Sequence, residues 1–163
     1  MKGIILNFIQ GKAKIDVDGE IKDYNIKQSK KNELRSEDIQ SGMEVEFEFN
    51  TTISKYEVTK VLKKNAIVTK EKIMIVMSTG NQSVNAIPLD VLGIKKVVIL
   101  STSFSSAKGY TKNLINFLKM QKIAYYVIDL SREEESDIDI LAKKIEAVYL
   151  DLNSDTCYLN ITG

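Results

Sequence analysis

The opening run Ile4, Ile5, Leu6, Asn7, Phe8, Ile9 is dominated by apolar side chains and ends near Gly11, which predicts a strand over residues 4–9. Ala13, Ile15 and Val17 then alternate with charged residues. Asp18-Gly19 supplies a two-residue hairpin turn, and Ile21, Tyr24 and Ile26 carry a return strand. Residues 27–40 are polar and lack a period, apart from a short helix predicted at 36–40. Val45, Phe47 and Phe49 alternate with Glu44, Glu46 and Glu48, as in a strand with one buried face, and Tyr56, Val58 and Val61 predict a fifth strand. Short strands, tight turns and one longer connection predict a five-stranded β-barrel over residues 1–64 that hides its edges by closure.

The texture changes after a short linker at 65–71. Ile73-Met74-Ile75-Val76-Met77 is a continuous apolar run, as in a strand buried on both faces. A polar loop follows at 78–83, a short helix at 84–92, and a second buried strand at 96–100. The stretch 101–109 reads as another polar loop. Leu114, Phe117 and Leu118 lie at helical spacing, 124–128 reads as a third strand, 138–150 as a helix and 157–161 as a fourth strand. Strand–helix alternation implies a parallel sheet with crossover helices, hence a Rossmann-like α/β domain over 72–163. The chain is therefore expected to be a two-domain α+β protein. It stops directly after the last predicted strand, where such a sheet normally continues into a loop and helix. We expect it to be a truncated part of something longer.

Charge and composition narrow the chemistry. With 23 basic and 22 acidic side chains the net charge is +1, so no global field draws nucleic acid or an anionic membrane, although a local pocket remains open. The like-charge run Glu133-Glu134-Glu135 reads as a solvated helix start. The chain has no histidine, which removes the commonest general base and metal ligand and excludes Ser-His-Asp and Cys-His mechanisms within it. Cys157 is the single cysteine and sits in an apolar run, which fits a core thiol in a reducing, cytoplasmic setting. No apolar stretch approaches the ~20 residues of a membrane span. No metal site or cofactor is expected: Asp129 and Glu133–Glu135 find no second acidic cluster.

Ligands of open parallel sheets bind beyond the carboxyl ends of the strands, where strand order reverses. Three segments leaving such ends are rich in hydroxyls and amides: Ser78, Thr79, Gly80, Asn81 and Gln82; Ser101, Thr102, Ser103 and Phe104, continuing to Lys108; and Asn160, Thr162 and Gly163. Such groups suit phosphates and base edges. Gly80 permits close backbone approach, Phe104 offers a ring for stacking, and Lys108 a charge for phosphate. The same residue types also make loops and helix caps, so each segment alone divides evenly between binding and capping. There is no G-x-G-x-x-G and no Walker lysine, which argues against ordinary NAD or ATP use.

Those segments carry a resemblance. Ile73 to Met77 running into Ser78-Thr79-Gly80-Asn81-Gln82-Ser83, a short helix with Pro88, Val97-Val98-Ile99-Leu100 followed by Ser101-Thr102, and the closing Tyr158-Leu159-Asn160-Ile161-Thr162-Gly163 resemble the CRISPR-associated Rossmann-fold (CARF) sensor domains. The likeness is greatest to sensors followed by a restriction-type nuclease. In that family the last stretch continues with further Gly, Thr and Lys. The resemblance implies a homodimer that holds cyclic oligoadenylate, the messenger of type III CRISPR defence, and regulates an effector domain beyond Gly163. It implies that Ser78, Thr79, Gly80 and Asn81 meet phosphate and ribose, that Ser101, Thr102 and Ser103 flank adenine, and that Thr162 lies beneath it. No catalytic residue is assigned. If the ring is cut at all, the reaction is a metal-independent ring-nuclease step that uses the substrate's own 2′-hydroxyl.

Residues 1–64 resemble the cold-shock type of OB barrel through Met1-Lys2-Gly3-Ile4-Ile5 and the stretch from Ile39 to Val61. That family's aromatic strands are replaced here by Lys14-Ile15-Asp16-Val17 and Asp23-Tyr24-Asn25-Ile26, leaving Phe8 and Tyr24 as candidate stacking rings. A stacked base is worth ~1–3 kcal/mol, so a thinned platform implies weak single-strand binding. The expected function is cyclic oligoadenylate sensing. The alternatives are a single-stranded nucleic-acid binder led by the barrel, or an interaction scaffold.

Overall fold

A computed structural model describes residues 1–27, 39–64, 71–152 and 156–160. The described residues form nine strands and five helices, a mixed α+β fold. The chain divides into two compact units, Met1–Thr69 and Lys70–Gly163.

In the first unit β1 (Lys2–Ile9), β2 (Lys12–Val17), β3 (Glu20–Lys27), β4 (Glu44–Asn50) and β5 (Lys55–Lys63) form a closed, OB-like barrel. β1 pairs antiparallel with β2 and β4, β2 with β3, and β4 with β5. A short parallel pairing of β3 with β5, Ile26 opposite Tyr56, closes the ring. The turn between β2 and β3 is Asp18-Gly19, both at positive φ (52° and 85°), the geometry whose twist suits a hairpin. The Asp16 carboxylate accepts from Gly19 N at 2.8 Å and fixes it. Alternation puts Ile5, Ile15, Val45, Phe47 and Val58 inside. Tyr24 joins them, its ring edge-on to Phe47 and to Tyr56 at 4.9 Å in each case. Of the helix expected at 36–40, residues 36–38 lie outside the described residues, and Ile39 and Gln40 are not helical.

In the second unit β6 (Ile73–Met77) pairs with β7 (Lys96–Ser101) on one side and β9 (Cys157–Asn160) on the other, and β7 pairs with β8 (Ala124–Asp129). Every pairing is parallel. The order is thus β8-β7-β6-β9, and it reverses between β6 and β9. α1 (Ser83–Leu92) links β6 to β7, α3 (Tyr110–Met120) leads into β8, and α5 (Ile138–Leu152) returns the chain to β9. Met74, Val76, Val97, Ile99 and Tyr125 on one face of the sheet pack with Leu89 of α1 and with Leu114 and Leu118 of α3.

One segment differs from the sequence reading, and the acidic run, read as a solvated helix start, agrees with it. The stretch 101–109 is not a continuous loop, because Ser101 ends β7 and Ser103–Ala107 form a short helix, α2. The cause is local: the Thr102 side chain accepts from Ser105 N while the Ser105 side chain accepts from Thr102 N, a reciprocal cap that satisfies two otherwise orphaned donors. The acidic run likewise lies in a separate short helix, α4 (Arg132–Ser136), capped in the same way by Ser131 and Glu134. Cys157 is half-buried rather than fully interior, and burial pushes its thiol up, away from reactive thiolate character.

Phe47 is 1% exposed and touches the rings that fill the barrel. Phe47→Ala is expected to cost about 3–5 kcal/mol in denaturant unfolding, the range for removing a buried aromatic ring.

Candidate functional site

Because β6, β7 and β9 are parallel, the segments that follow them emerge at one end of the sheet. Ser78 follows β6 directly, Ser101 closes β7 and Asn160 closes β9. Thr162 and Gly163 lie outside the described residues.

Beneath this rim lies a chain of buried hydroxyls. The Ser101 Oγ and Thr111 Oγ1 are 2.8 Å apart, and Thr111 Oγ1 is 2.9 Å from Ser78 Oγ. Ser78 donates to Ser105 Oγ at 2.8 Å, and Ser105 donates to the Thr102 carbonyl at 3.1 Å. If each hydroxyl donates once, in the order Ser101, Thr111, Ser78, Ser105, the series ends on a backbone acceptor and no proton is left without a partner. All four residues are buried. The Ser78 and Ser101 side chains, expected at a ligand, are buried and bonded within the protein. Their hydroxyls tie the carboxyl ends of β6 and β7 to α2 and α3, because a buried hydroxyl without a partner is costly.

What the rim exposes is different. Gly80, Asn81, Ser103, Phe104 and Lys108 are exposed, and Thr79, Gln82 and Thr102 are half-buried. Asn81 Oδ1 accepts from Ser83 Oγ at 2.6 Å and Ser83 N at 3.2 Å, so Asn81 also serves the start of α1. A Cβ on Gly80 would stand 3.1 Å from Cζ of Tyr110, which explains why no larger residue sits there without displacing that ring. Phe104 is 62% exposed, lies edge-on to Tyr110 at 6.1 Å, and carries the Lys108 ammonium 5.9 Å from its centroid. The backbone N–H of Ser103 is already taken by Glu135 Oε1 at 2.8 Å.

Gln82 bridges the first segment to α3, its Nε2 donating to the Thr79 carbonyl at 2.6 Å and to the Tyr110 carbonyl at 3.4 Å. Two carbonyl acceptors fix the orientation of the amide, since a flipped amide would set oxygen against oxygen. The other atom, Gln82 Oε1, is buried and has no hydrogen-bond partner among the described residues. At the strand-order reversal, Asn160 Nδ2 donates to the Val84 carbonyl at 2.8 Å and to Asn85 Oδ1 at 3.1 Å, while Asn85 Nδ2 donates to the Met77 carbonyl at 3.0 Å. Asn85 is fully buried. The third segment is thereby tied to the first.

Asn85, Tyr110 and Thr111 were not singled out by sequence reasoning, and Glu135 was read only as part of a solvated acidic run. A signal existed for two of them. Asn85 shares its helix face with Leu89 and Leu92, and Thr111 with Leu114 and Leu118, so each is a polar residue on an apolar stripe.

Of the two candidate stacking rings, one is buried and the other half-buried. Tyr24 is 8% exposed and packed into the barrel core, where burial raises its phenol against the opposing effect of Lys22. Phe8 packs against the same core. A ring enclosed edge-on by Phe47 and Tyr56 offers no face to a base. Among the described residues no group of three or more acidic or thiol side chains is placed to hold a metal ion, and no helix is long and apolar enough to cross a membrane.

No family model matches the chain, and no curated protein matches it. Among solved structures, the crystal structure of YjeQ from Thermotoga maritima aligns with 88% of this chain and 56% of its own length, at 14% identity and TM-score 0.30. The chain thus spans a little over half of that protein, and a likeness at that TM-score carries no weight for fold or function. The fold and rim define a two-unit α+β protein with a closed OB-like barrel and a parallel sheet.

Thr111→Val keeps shape while removing the hydroxyl between Ser78 and Ser101. It is expected to destabilise the protein by about 1–3 kcal/mol in chemical denaturation, the cost of stranding buried polar partners. Near the rim, the Lys144 ammonium, 2.5 Å from Glu134, and the Ser131 backbone N–H hold the Glu134 carboxyl below the usual carboxylate range. A lowered folded-state pKa gives stability that is complete above the unfolded value and lost as pH falls through the folded one. Thermal midpoints followed from neutral into acid should therefore fall less steeply for Lys144→Met than for the parent.

Proposed function

We propose that the second unit is a Rossmann-like nucleotide-binding domain and that the protein binds cyclic oligoadenylate as a symmetric dimer, regulating an effector. The observation that carries this reading is the rim at the strand-order reversal. Two segments are locked together from below by buried hydroxyls, and a third is tied in through Asn85 and Asn160. Such locking leaves the upper surface of the rim preorganised, and a preformed site loses less entropy when a ligand is ordered on it. Gly80, Asn81, Phe104 and Lys108 are then the groups in reach of a nucleotide: close backbone approach, an amide, a ring for adenine and a cation for phosphate. Ser78 and Ser101 act from beneath as positioning residues, and Glu135 must leave Ser103 N if a phosphate is to take that donor. The resemblance to CARF sensors supplies the choice of ring-shaped adenylate over other nucleotides.

Titration of labelled cyclic tetra- and hexa-adenylate against the protein should give saturable binding. Phe104→Ala should weaken it by roughly fivefold or more, from loss of a stacked base at ~1–3 kcal/mol. Gly80→Ala should weaken it through displacement of Tyr110. An absence of saturable binding to either ring, with the protein folded, removes this reading.

A further inference from the structure

The opposite end of the same sheet has the reverse character. An open cleft of about 430 Å³ lies between the carboxyl ends of α1 and α3, where the chain enters β7 and β8. Leu89, Ile94, Phe117 and Ile123 give it apolar walls. Lysines stand at each strand entry: Lys72 before β6, Lys95 before β7 and Lys122 before β8, all exposed. Backbone bonds hold these entries side by side, Lys95 N to the Lys72 carbonyl and Ala124 N to the Lys95 carbonyl. Lys72 Nζ also reaches the Leu92 carbonyl at 3.1 Å, beside the cleft. Asp90, Lys95 and Gln121 stand in the lining beside the buried Leu89 and Ile94, so the cleft is mixed in character, and lysines outnumber Asp90 around its mouth.

A complementary surface exists in the same chain. The corner between α4 and α5 presents Glu133, Glu135, Asp137 and Asp139, all exposed, with Arg132 as the single base over residues 132–139. Ile138 stands in the middle of them, 80% exposed, an isolated branched side chain ringed by carboxylates. It is an apolar knob in an acidic collar, and the cleft sets the half-buried Phe117 and Ile123 among lysines. The corner follows the carboxyl end of β8 and the cleft lies at the amino ends of β7 and β8, so one copy cannot use both on itself without spanning the sheet.

We propose that a second copy of this chain docks here head to tail, its acidic α4–α5 corner seated in the basic cleft, with Ile138 as the anchor. The contact is heterologous, since each copy offers one surface and uses the other. Opposite charges at its rim make it salt-sensitive. It is separate from the two-fold nucleotide reading and does not rest on it.

Sedimentation velocity over a concentration series, at low and high salt, tests the proposal. Self-association is expected at low salt and should weaken with added salt. Lys95→Glu with Lys122→Glu should weaken it roughly tenfold or more, and so should Glu133→Lys with Asp139→Lys, because each replaces attraction by repulsion. An equal mixture of the two variants should regain association, since each then offers the other two complementary surfaces. Ile138→Ser provides a readout free of charge change and should also weaken it. Three sedimentation results would overturn the proposal: a parent monomeric at every concentration, variants that each associate as the parent does, or a mixture that fails to recover. The second of these is what a two-fold assembly through the rim would give, and it leaves the nucleotide reading standing. Retention of RNA or an unrelated acidic peptide by monomeric protein assigns the cleft elsewhere and also overturns it.

Discussion

The hydroxyl chain from Ser101 through Thr111 and Ser78 to Ser105 joins four elements that apolar packing alone would leave less specifically placed. Apolar contacts between β6, β7, α1 and α3 are strong but non-directional, and they tolerate small sliding. A buried hydroxyl does not, because its partner must lie within hydrogen-bond distance or the group is desolvated without return. The chain therefore fixes where α3 begins relative to the ends of β6 and β7. That in turn sets Tyr110 against Gly80 and Phe104 against Tyr110. The exposed features of the rim are consequences of the buried ones.

A second polar junction acts at the strand-order reversal. Asn160, the last described residue of β9, pairs with Val76 of β6 and is also anchored to α1 through Val84 and Asn85. Asn85 also binds the Met77 carbonyl, so one buried amide connects the ends of β6 and β9 with the first turn of α1. Gln82 completes the frame but leaves its oxygen unpaired among the described residues. Buried amides are satisfied in most folded proteins, so an orphaned acceptor beside a candidate rim is a place where a donor from a ligand or a shifted main chain would be favourable.

The barrel was legible because its strands keep one face inward and their turns carry explicit signals. The alternation over Glu44–Phe47 and the turn Asp18-Gly19 each have one physical reading, whereas Phe49, in phase with the buried face, is 51% exposed. The apolar runs of β6 and β7 were legible for the opposite reason, since two buried faces remove alternation. The serine- and threonine-rich segments were not, because composition cannot tell a hydroxyl that faces a ligand from one that caps a helix or bonds a neighbouring strand. Ser78 and Ser101 look the same in sequence as Ser103, yet the structure buries the first two and exposes the third. Tyr24 misled in a related way. Its place two residues from Ile26 on one strand puts it in phase with the core, and that phase outranks the family likeness that suggested a stacking ring.

Near-neutral net charge conceals a polarity along the second unit. Carboxylates gather where the chain leaves β8, and lysines where it enters β6, β7 and β8. Summed over the chain these cancel, which is why composition argued against any charged partner. Screening confines each patch to a range of about 8–10 Å at ordinary salt, so a partner in contact senses the local sign and not the total. The consequence for the rim is specific. Under the proposed reading, an anionic ligand would be repelled from the β8 side by Glu133 and Glu135 and left with the β6, β7 and β9 segments, where Lys108 would supply the compensating charge and the buried amides and hydroxyls hold the backbone in place. Any ligand reading that required phosphate beside α4 would have to displace Glu135 first, and the head-to-tail contact would engage the very carboxylates that keep phosphate away.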